Sequence, residues 1–577
     1  MDSLYIKVSR KTQNDYYQVN LETLITIFVY KVCGISNVIL KVQFEKESSQ
    51  PTFLVDFTDI QLQILNNDVP LVAKYCAWPV IISGKSVVAG LAAVCRKIVK
   101  SCKNEFKKLL GFREACLMAC SESSVWTKFC EVDIISTVKN FLLNFHEYFQ
   151  DHKFFPPEDL IRFEYHMGQP VRVHNVYKIA RQSNGNRNIK SGVPISELNV
   201  EHTFGEGVEM TLADVVLFPC FKIFFQILEP DILKKYLPLV IKWYDNMNAQ
   251  ENLPQFTFQM DKLQNKNVIN ISDVLIPNNI TKQSLYVSDP TRYKPQSRIY
   301  TKQEDIDEII SHIIDSKLKI ISSDKCFYDD VNFSWSEISS EAAPCSGALP
   351  EKRVSRKTQQ LENLAKAAVK LAEDKSKTIV DFCSGSGHLG IVIAALLPQC
   401  RVVLIENKEK SLQRAMERVE KMNLGNVTFL QCNLDYFQAN FDIGLALHAC
   451  GVATDLVIQT CIDRKANFIC CPCCYGGIHN CHHVSYPRSR TFKEALIKYQ
   501  DFLVLSHAAD QTHNDNSFKT SQGYLCMNIV DSDRKFYAEE CGYTVHLGKL
   551  KPPTCTPKNN ILIGIKEENV HSLMNKI

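Results

Sequence analysis

Two groups of residues carry types and spacings that could do chemistry. The first is Asp381-Phe-Cys383-Ser-Gly385-Ser-Gly387-His-Leu-Gly390, with Glu406 sixteen residues beyond the last glycine. Glycines at such a crossing let backbone approach a ligand closely, and an acid at the end of the next apolar run can grip a ribose diol. The second group is His448-Ala-Cys450-Gly451-Val-Ala-Thr-Asp455 together with Cys470-Cys-Pro-Cys473-Cys474-Tyr475-Gly476. It offers an imidazole, several thiols and a phenol. These can shape a pocket, orient an acceptor or bind a soft metal ion.

The elements that must position these groups follow from the apolar pattern. Thr378-Ile-Val-Asp-Phe382 reads as a buried strand, 388–397 as a helix and 402–406 as a second strand that Glu406 caps. Further on the pattern predicts helix 409–422, strands 427–432 and 442–447, helix 454–463, strand 467–471 and a helix near 491–500. Strands 543–548 and 561–565 follow. Strands alternating with helices imply a parallel sheet covered on both faces. Only a loop joins the last two strands, so they form an antiparallel hairpin. Ligands in such sheets sit beyond the carboxyl ends of the strands, which is where both groups fall.

Gly385, Gly387 and Gly390 with Glu406 also fit a dinucleotide fingerprint. Three features favour S-adenosyl-L-methionine instead. Asp381 ends the first strand, where a carboxylate can meet the ammonium of a methionyl group but would repel a pyrophosphate. The closing hairpin is the usual ending of a methyltransferase sheet and no part of the dinucleotide half-fold. Asn433-Leu-Asp435 follows the third strand, beside the expected adenine. One position departs from the usual string, since Cys383 stands where a glycine is common. A methyltransferase-like scaffold with a degraded pocket is the competing expectation.

For the second group three readings stay open. Cys473, Cys474 and Tyr475 can shape the acceptor pocket, with His448 facing it. The pairs Cys470/Cys473 and Cys471/Cys474 can bind zinc with His479, Cys481, His482 or His483. The cysteines can also be small core hydrophobes. Lys408, Lys410, Arg414, Arg418 and Lys421 read as a solvated helix face. Arg353, Arg356 and Lys357 read as solvated too, or as partners of a phosphate backbone.

Upstream, residues 1–104 combine β-branched runs with a helix through Leu91, Cys95 and Ile98 and form a small α/β lobe. Residues 105–254 are helical, with Thr211-Leu-Ala-Asp214 as a cap at the start of an apolar run. Residues 170–205, including Arg181–Arg187, read as a loop. Residues 255–350 read mostly as linker around a helix from Gln303 to Leu318, and 351–577 form the α/β domain. Residues 351–577 hold 28 Lys and Arg against 23 Asp and Glu, and the rest of the chain is slightly acidic. That balance permits a polyanionic substrate such as RNA. The start of the chain shows no secretory pattern and no apolar run long enough for a membrane span. The 23 cysteines therefore read as reduced thiols in the cytoplasm.

The strings DFCSGSGHLGIVIA, LIENKE, ALHACGVATD, CPCCYGGI and PKNN, with LLGFREACLMAC, PVRVHN and TLADVVLFPC upstream, closely resemble the glutathione S-transferase C-terminal domain-containing protein family. The resemblance spans nearly the whole chain. It implies a degenerate thioredoxin-like lobe, a helical domain like the C-terminal half of glutathione transferases, a linker and a class I methyltransferase. The fold class is thus multi-domain α/β ending in a Rossmann-like sheet with a hairpin. The HACG and PCCYG blocks are similar to those of a methyltransferase group with tRNA-modifying members. The resemblance implies that Asp381, Cys383, Gly385, Gly387, Glu406, Asn433 and Asp435 hold S-adenosylmethionine. His448, Cys473, Cys474 and Tyr475 then face the acceptor, and no metal is assigned. Val88-Ala-Gly-Leu91 lacks the acid–Ser pair that glutathione transferases place there. The transferase-like region is therefore expected to bind a protein partner or substrate and not to conjugate glutathione. A non-catalytic interaction scaffold is the runner-up, and a glutathione-binding transferase comes third.

Overall fold

The structure is a computed structural model. It describes residues 2–12, 15–34, 37–46, 50–66, 68–183, 189–228, 230–260, 271–286, 302–320, 323, 326–344, 351–512 and 517–567. Residues 184–188 of the expected loop, and much of the segment 255–350, lie outside these. The described part of that loop instead contains a helix, Val176–Ser183, because Val176 and Ala180 pack on Val171, Leu198 and Val200. The chain divides into two compact units, Met1–Asp289 and Pro290–Ile577.

In the first unit, strand β1 (Asp2–Val8), helix α1 (Leu21–Val32) and strands β2 (Val38–Phe44) and β3 (Leu62–Ile64) come first. The hairpin β4 (Val80–Ser83) and β5 (Ser86–Ala89) and helix α2 (Leu91–Ser101) follow. The strand order is β5-β4-β1-β2-β3. β1 pairs in parallel with β2 and antiparallel with β4. Behind this lobe lie helices α3 (Ile134–Leu143), α4 (Glu158–Met167), α5 (Leu212–Ile227) and α6 (Pro238–Asn248). The Thr211/Asp214 capping box forms at the start of α5 as the sequence predicts. Buried Asp214 also accepts hydrogen bonds from the Gly205 N–H (2.6 Å) and the Trp243 indole (2.9 Å), so the cap doubles as an anchor for the core tryptophan. Phe258–Met260 pairs with Phe53–Asp56, and Asp273–Val274 pairs with Lys153–Phe154, so parts of 255–289 are built into this unit.

The second unit holds α7 (Gln303–Asp315), α8 (Glu351–Ala372), β6 (Thr378–Phe382), α9 (His388–Leu396), β7 (Arg401–Ile405), α10 (Glu409–Lys421) and β8 (Val427–Gln431). Then come β9 (Ile443–Leu447), α11 (Val452–Asp463), β10 (Asn467–Cys471), α12 (Tyr499–Ala508), α13 (Phe518–Glu540), β11 (Tyr543–Lys549) and β12 (Asn560–Lys566). The order is β8-β7-β6-β9-β10-β12-β11. The first five strands are parallel, and β12 runs antiparallel to both of its neighbours. The central strands are buried along their length, as a sheet covered on both faces requires. The order reverses between β6 and β9, so the crevice that accepts ligands opens there. Helix α7 packs Ile306 and Ile313 into the same cluster as Phe502 and Leu505 of α12. Helix α13 is absent from the sequence reading.

Two contacts hold the crevice. The Gly451 N–H donates to the Cys474 carbonyl (2.9 Å), tying the loop after β9 to the loop after β10. Gly451 adopts φ 59° and ψ −128°, and any Cβ there would fall on the Gly477 carbonyl. Behind these loops sits a buried charge cluster. Arg534 of α13 grips Asp455 of α11 through two nitrogens (2.6 and 3.0 Å) and Asp531 through a third (2.9 Å). Tyr486 donates to the same Asp455 (2.6 Å).

Both contacts lead to stability predictions. Asp455→Ala strands most of the Arg534 charge in the interior and lowers stability by about 3–5 kcal/mol. Gly451→Ala costs about 2–4 kcal/mol, from its left-handed backbone and the clash with Gly477. Urea titration of the full chain followed by circular dichroism checks both. An unchanged midpoint for either variant would contradict its contact.

Candidate functional site

The cofactor side is built by the loop from β6 to α9. Asp381 ends β6 with only 2% of its surface exposed and accepts the Gly390 N–H (2.9 Å) from the first turn of α9. The loop then passes through left-handed backbone at Cys383 (φ 53°), Gly385 (φ 57°) and Gly387 (φ 74°). At Gly387 a side chain would also press on Leu404 and Ala415 at 2.9 Å, so the helix can start there only with glycine. Cys383 takes the same left-handed conformation, which a glycine would adopt without strain. Glu406, just past β7, accepts the Gly385 N–H and the Lys408 N–H, both at 2.8 Å. Its oxygens keep further lone pairs for hydroxyl donors.

Burial pushes the Asp381 carboxyl up to about 7. The Gly390 N–H and the Lys357 charge oppose that rise, and Glu406 adds to it. Lys357 of α8 is itself lowered by burial and lies in electrostatic range of Asp381 and Cys473, so it faces this crevice. Arg418 departs from the solvated face expected of it. It donates to the Ser386 carbonyl (3.0 Å) inside the glycine loop and to the Glu341 and Ala342 carbonyls (2.7 and 2.9 Å). Ser384 Oγ and His388 Nδ1 are buried in the loop with no hydrogen-bond partner. Burial, with Arg418 and Lys357 adding to it, lowers His388 to about 3, so it is neutral at physiological pH.

Beyond β8, the Asn433 carbonyl accepts the Tyr436 N–H (3.2 Å) in a short turn. Asp435 is bracketed by Nε2 of His482 (3.2 Å) and of His483 (3.1 Å). Burial alone would raise this carboxyl, but the two histidines hold it below the usual carboxylate range.

The acceptor side joins the loops after β9 and β10. His448 reaches solvent with a positive φ of 71°. Desolvation, then Lys357, lowers its pKa to about 4. Cys450, Cys473 and Cys474 bring their sulfurs together: Cys450 to Cys473 is 3.1 Å and Cys473 to Cys474 is 3.7 Å. Thiol hydrogen bonds from Cys450 and Cys473, with the Lys558 charge adding to them, favour the Cys474 thiolate against the cost of desolvation. Cys470 and Cys471 lie buried within β10, so the C-x-x-C pairings considered from the sequence do not form. Those two cysteines follow the core reading. His479 is also buried, with Nδ1 3.0 Å from the Gly477 carbonyl.

Tyr475 corrects another expectation. It is 1% exposed, and its hydroxyl donates to Asp531 (2.7 Å). Arg534 and Lys558 approach its ring at 5.6 and 5.7 Å, so neither face nor hydroxyl is left for a substrate. The backbone of this turn is itself held in place. Asp510 accepts the Tyr475 and Gly476 N–H groups (3.1 and 2.8 Å) and pairs with Lys558 (3.3 Å).

The structure thus gathers Asp381, Cys383, Gly385, Gly387 and Glu406 around one loop, and His448, Cys473 and Cys474 around the paired loops. It adds Lys357, Arg418, Cys450, Asp510 and Lys558. Their only sequence signals were a basic helix start, a basic helix face, membership of the HACG and PKNN strings and, for Asp510, none.

Comparison with known proteins agrees with a methyltransferase-type second unit. Residues 352–481 match the family described as "Methyltransferase domain". A short stretch of 76 residues is 32% identical to the Ribosomal RNA small subunit methyltransferase G of Thermotoga sp., over 13% of this chain and 33% of that one. The Glutathione S-transferase C-terminal domain-containing protein homolog of Drosophila melanogaster is 41% identical over 511 residues, covering 83% of each chain. The Homo sapiens Glutathione S-transferase C-terminal domain-containing protein is 31% identical over 644 residues, covering 97% of this chain and 98% of that one. With a mixed α/β lobe, a helical domain and a methyltransferase sheet in place, the chain belongs to the glutathione S-transferase C-terminal domain-containing protein family.

Proposed function

We propose that the second unit is an S-adenosylmethionine-dependent methyltransferase. The observation that carries this is the pair of acids at the ends of adjacent parallel strands, Asp381 and Glu406, tied to opposite ends of one glycine loop. The site fits that cofactor. A Cβ at Gly385 would meet nothing within 4 Å, so the loop leaves open space there. Two acids and a neutral His388 suit a cationic sulfonium and repel a pyrophosphate.

Gly385 and Gly387 let the backbone lie against the methionyl side, and Asp381 takes its ammonium. Lys357 is the cation placed for its carboxylate. Glu406 accepts the ribose hydroxyls, while Asn433 and Asp435 flank the adenine. Bound there, the cofactor supplies an already activated methyl group, so the protein's work is positioning. Neutral His448 can accept a hydrogen bond from an acceptor N–H or O–H and aim its lone pair. Cys473 and Cys474 wall the acceptor side. RNA is the acceptor class we favour, supported by the basic balance of residues 351–577, by exposed Arg353 and Arg356 on α8, and by the stretch shared with a ribosomal RNA methyltransferase. The first unit serves as a docking module for a protein partner, in the cytoplasm.

Calorimetric titration of the full chain with S-adenosylmethionine is expected to give micromolar affinity, about −8 kcal/mol. NAD is expected not to bind. Absence of S-adenosylmethionine binding by folded protein would favour the non-catalytic scaffold. Transfer of labelled methyl from the cofactor to total RNA, lost in His448→Ala with cofactor affinity kept, tests the acceptor. Labelling of protein alone would discard RNA.

Burial of Asp381 couples its protonation to folding and to cofactor binding. Native protein holds a proton here that the unfolded chain releases near pH 4, so the stability it contributes is full at low pH and lost as pH rises through about 7. Asp381→Asn is expected to be more stable than the parent at pH 8, by about 1 kcal/mol or more, yet to lose cofactor affinity. A bound ammonium favours the ionised acid, so affinity rises by up to about tenfold per unit between pH 5.5 and 7, with proton release. Calorimetry in buffers of different ionisation enthalpy reads that proton. A flat profile would remove Asp381 from the binding site.

A further inference from the structure

We propose that Cys450, Cys473 and Cys474 form a trithiolate site for one zinc ion at the acceptor mouth. The three sulfurs come from two loops and all lie within 4.8 Å of one another. Two separations are 3.1 and 3.7 Å. Around tetrahedral zinc, with Zn–S near 2.3 Å, ligand sulfurs stand roughly 3.8 Å apart, so the cluster needs little movement to close on an ion. Cys450 and Cys474 are exposed and Cys473 half-buried, in contrast to Cys470 and Cys471 a few residues away, so an ion has a way in.

The frame around the sulfurs is built. The Gly451–Cys474 backbone hydrogen bond fixes one loop against the other, and the Asp510 bonds to Tyr475 and Gly476 fix the turn that follows. Three thiols concentrated on one point select a soft or borderline d10 cation over magnesium or calcium, which take oxygen ligands. Binding displaces thiol protons to buffer and leaves the fourth position open toward solvent. A site with three protein ligands and one open position is of the kind that can hold a substrate atom, which goes beyond the methyl transfer proposed above. The zinc site does not depend on cofactor binding. A second cluster, Asp435 with His482 and His483, also brings three ligand atoms within 4.8 Å of one another and is the competing location.

The test uses the full chain, purified under reducing conditions and stripped with a chelator. Metal analysis after zinc reconstitution is expected to give one equivalent. Cobalt titration is expected to give thiolate-to-cobalt charge-transfer absorption and the visible bands of a tetrahedral site. Cys450→Ser and Cys474→Ser should each weaken zinc by more than the roughly 10–100-fold that loss of an outer-shell partner costs, with circular dichroism unchanged. If a variant fails to fold, zinc protection of the three parent cysteines from alkylation, mapped by mass spectrometry, gives the same answer. Three results would overturn the proposal: no thiolate absorption in folded protein, zinc lost only in His482→Ala, or a Cys450–Cys473 disulfide formed in reduced buffer.

Discussion

The meeting of Gly451 with Gly477 is the constraint on which the acceptor side depends. Two loops that leave neighbouring parallel strands would normally diverge, because each must turn back to its own covering helix. Here neither glycine carries a side chain, so the two backbones pack against each other, and the Gly451 N–H can reach the Cys474 carbonyl on the other loop. Everything chemical on that side then follows. Cys450 arrives over Cys473, His448 is held in a left-handed conformation, and the next turn is caught by Asp510 and Lys558 from more distant segments. Remove the contact and the same residues would sit on separate loops with no common chemistry.

Behind the loops, the buried cluster of Asp455, Asp531 and Arg534 solves a different problem. Helices α11 and α13 must pack at one rotation only, since Tyr475 and Asn560 both bond to Asp531. Apolar residues would give as much stability with less register, because burying charges costs nearly what their pairing returns. The cluster thus specifies an orientation more than it adds strength. It also explains why two residues of chemically suggestive strings, Asp455 and Tyr475, turn out to hold the crevice from behind instead of lining it.

The parallel sheet was legible in the sequence because its strands are short apolar runs between helices of clear period. Strand ends fell within a residue or two of those expected, and the closing hairpin was plain because the segment joining its strands is too short and too rich in proline for a covering helix. Asp381 at the end of β6 and Glu406 just past β7 were readable as a pair from those ends, since both fall at the carboxyl edge of the sheet. Helix α13 was missed for a physical reason. Asp531, Asp533 and Arg534 on it are buried beside Cys526, Met527, Ile529 and Val530, so its inward face mixes charged with apolar residues and the periodicity is weak. Once α13 is missed, the partner of Tyr475 is missed too, and the ring reads as a substrate platform. Lys357 and Arg418 were misjudged similarly: a basic residue on an amphipathic helix looks solvated until the tertiary fold brings a carboxylate or a glycine loop against it.

The place of β12 has a bearing on how the domain is made. It is inserted between β10 and β11, so the strand latest in chain order among those described is interior to the sheet and not at its edge. During synthesis, β10 therefore presents an open hydrogen-bonding edge, with β11 able to lie against it wrongly, until residues 560–566 emerge and part them. A chain cut just before residue 560 would keep every residue placed at the site and still lack the strand that separates β10 from β11. Damage there would register as lost protein in the cell before it registered as lost chemistry.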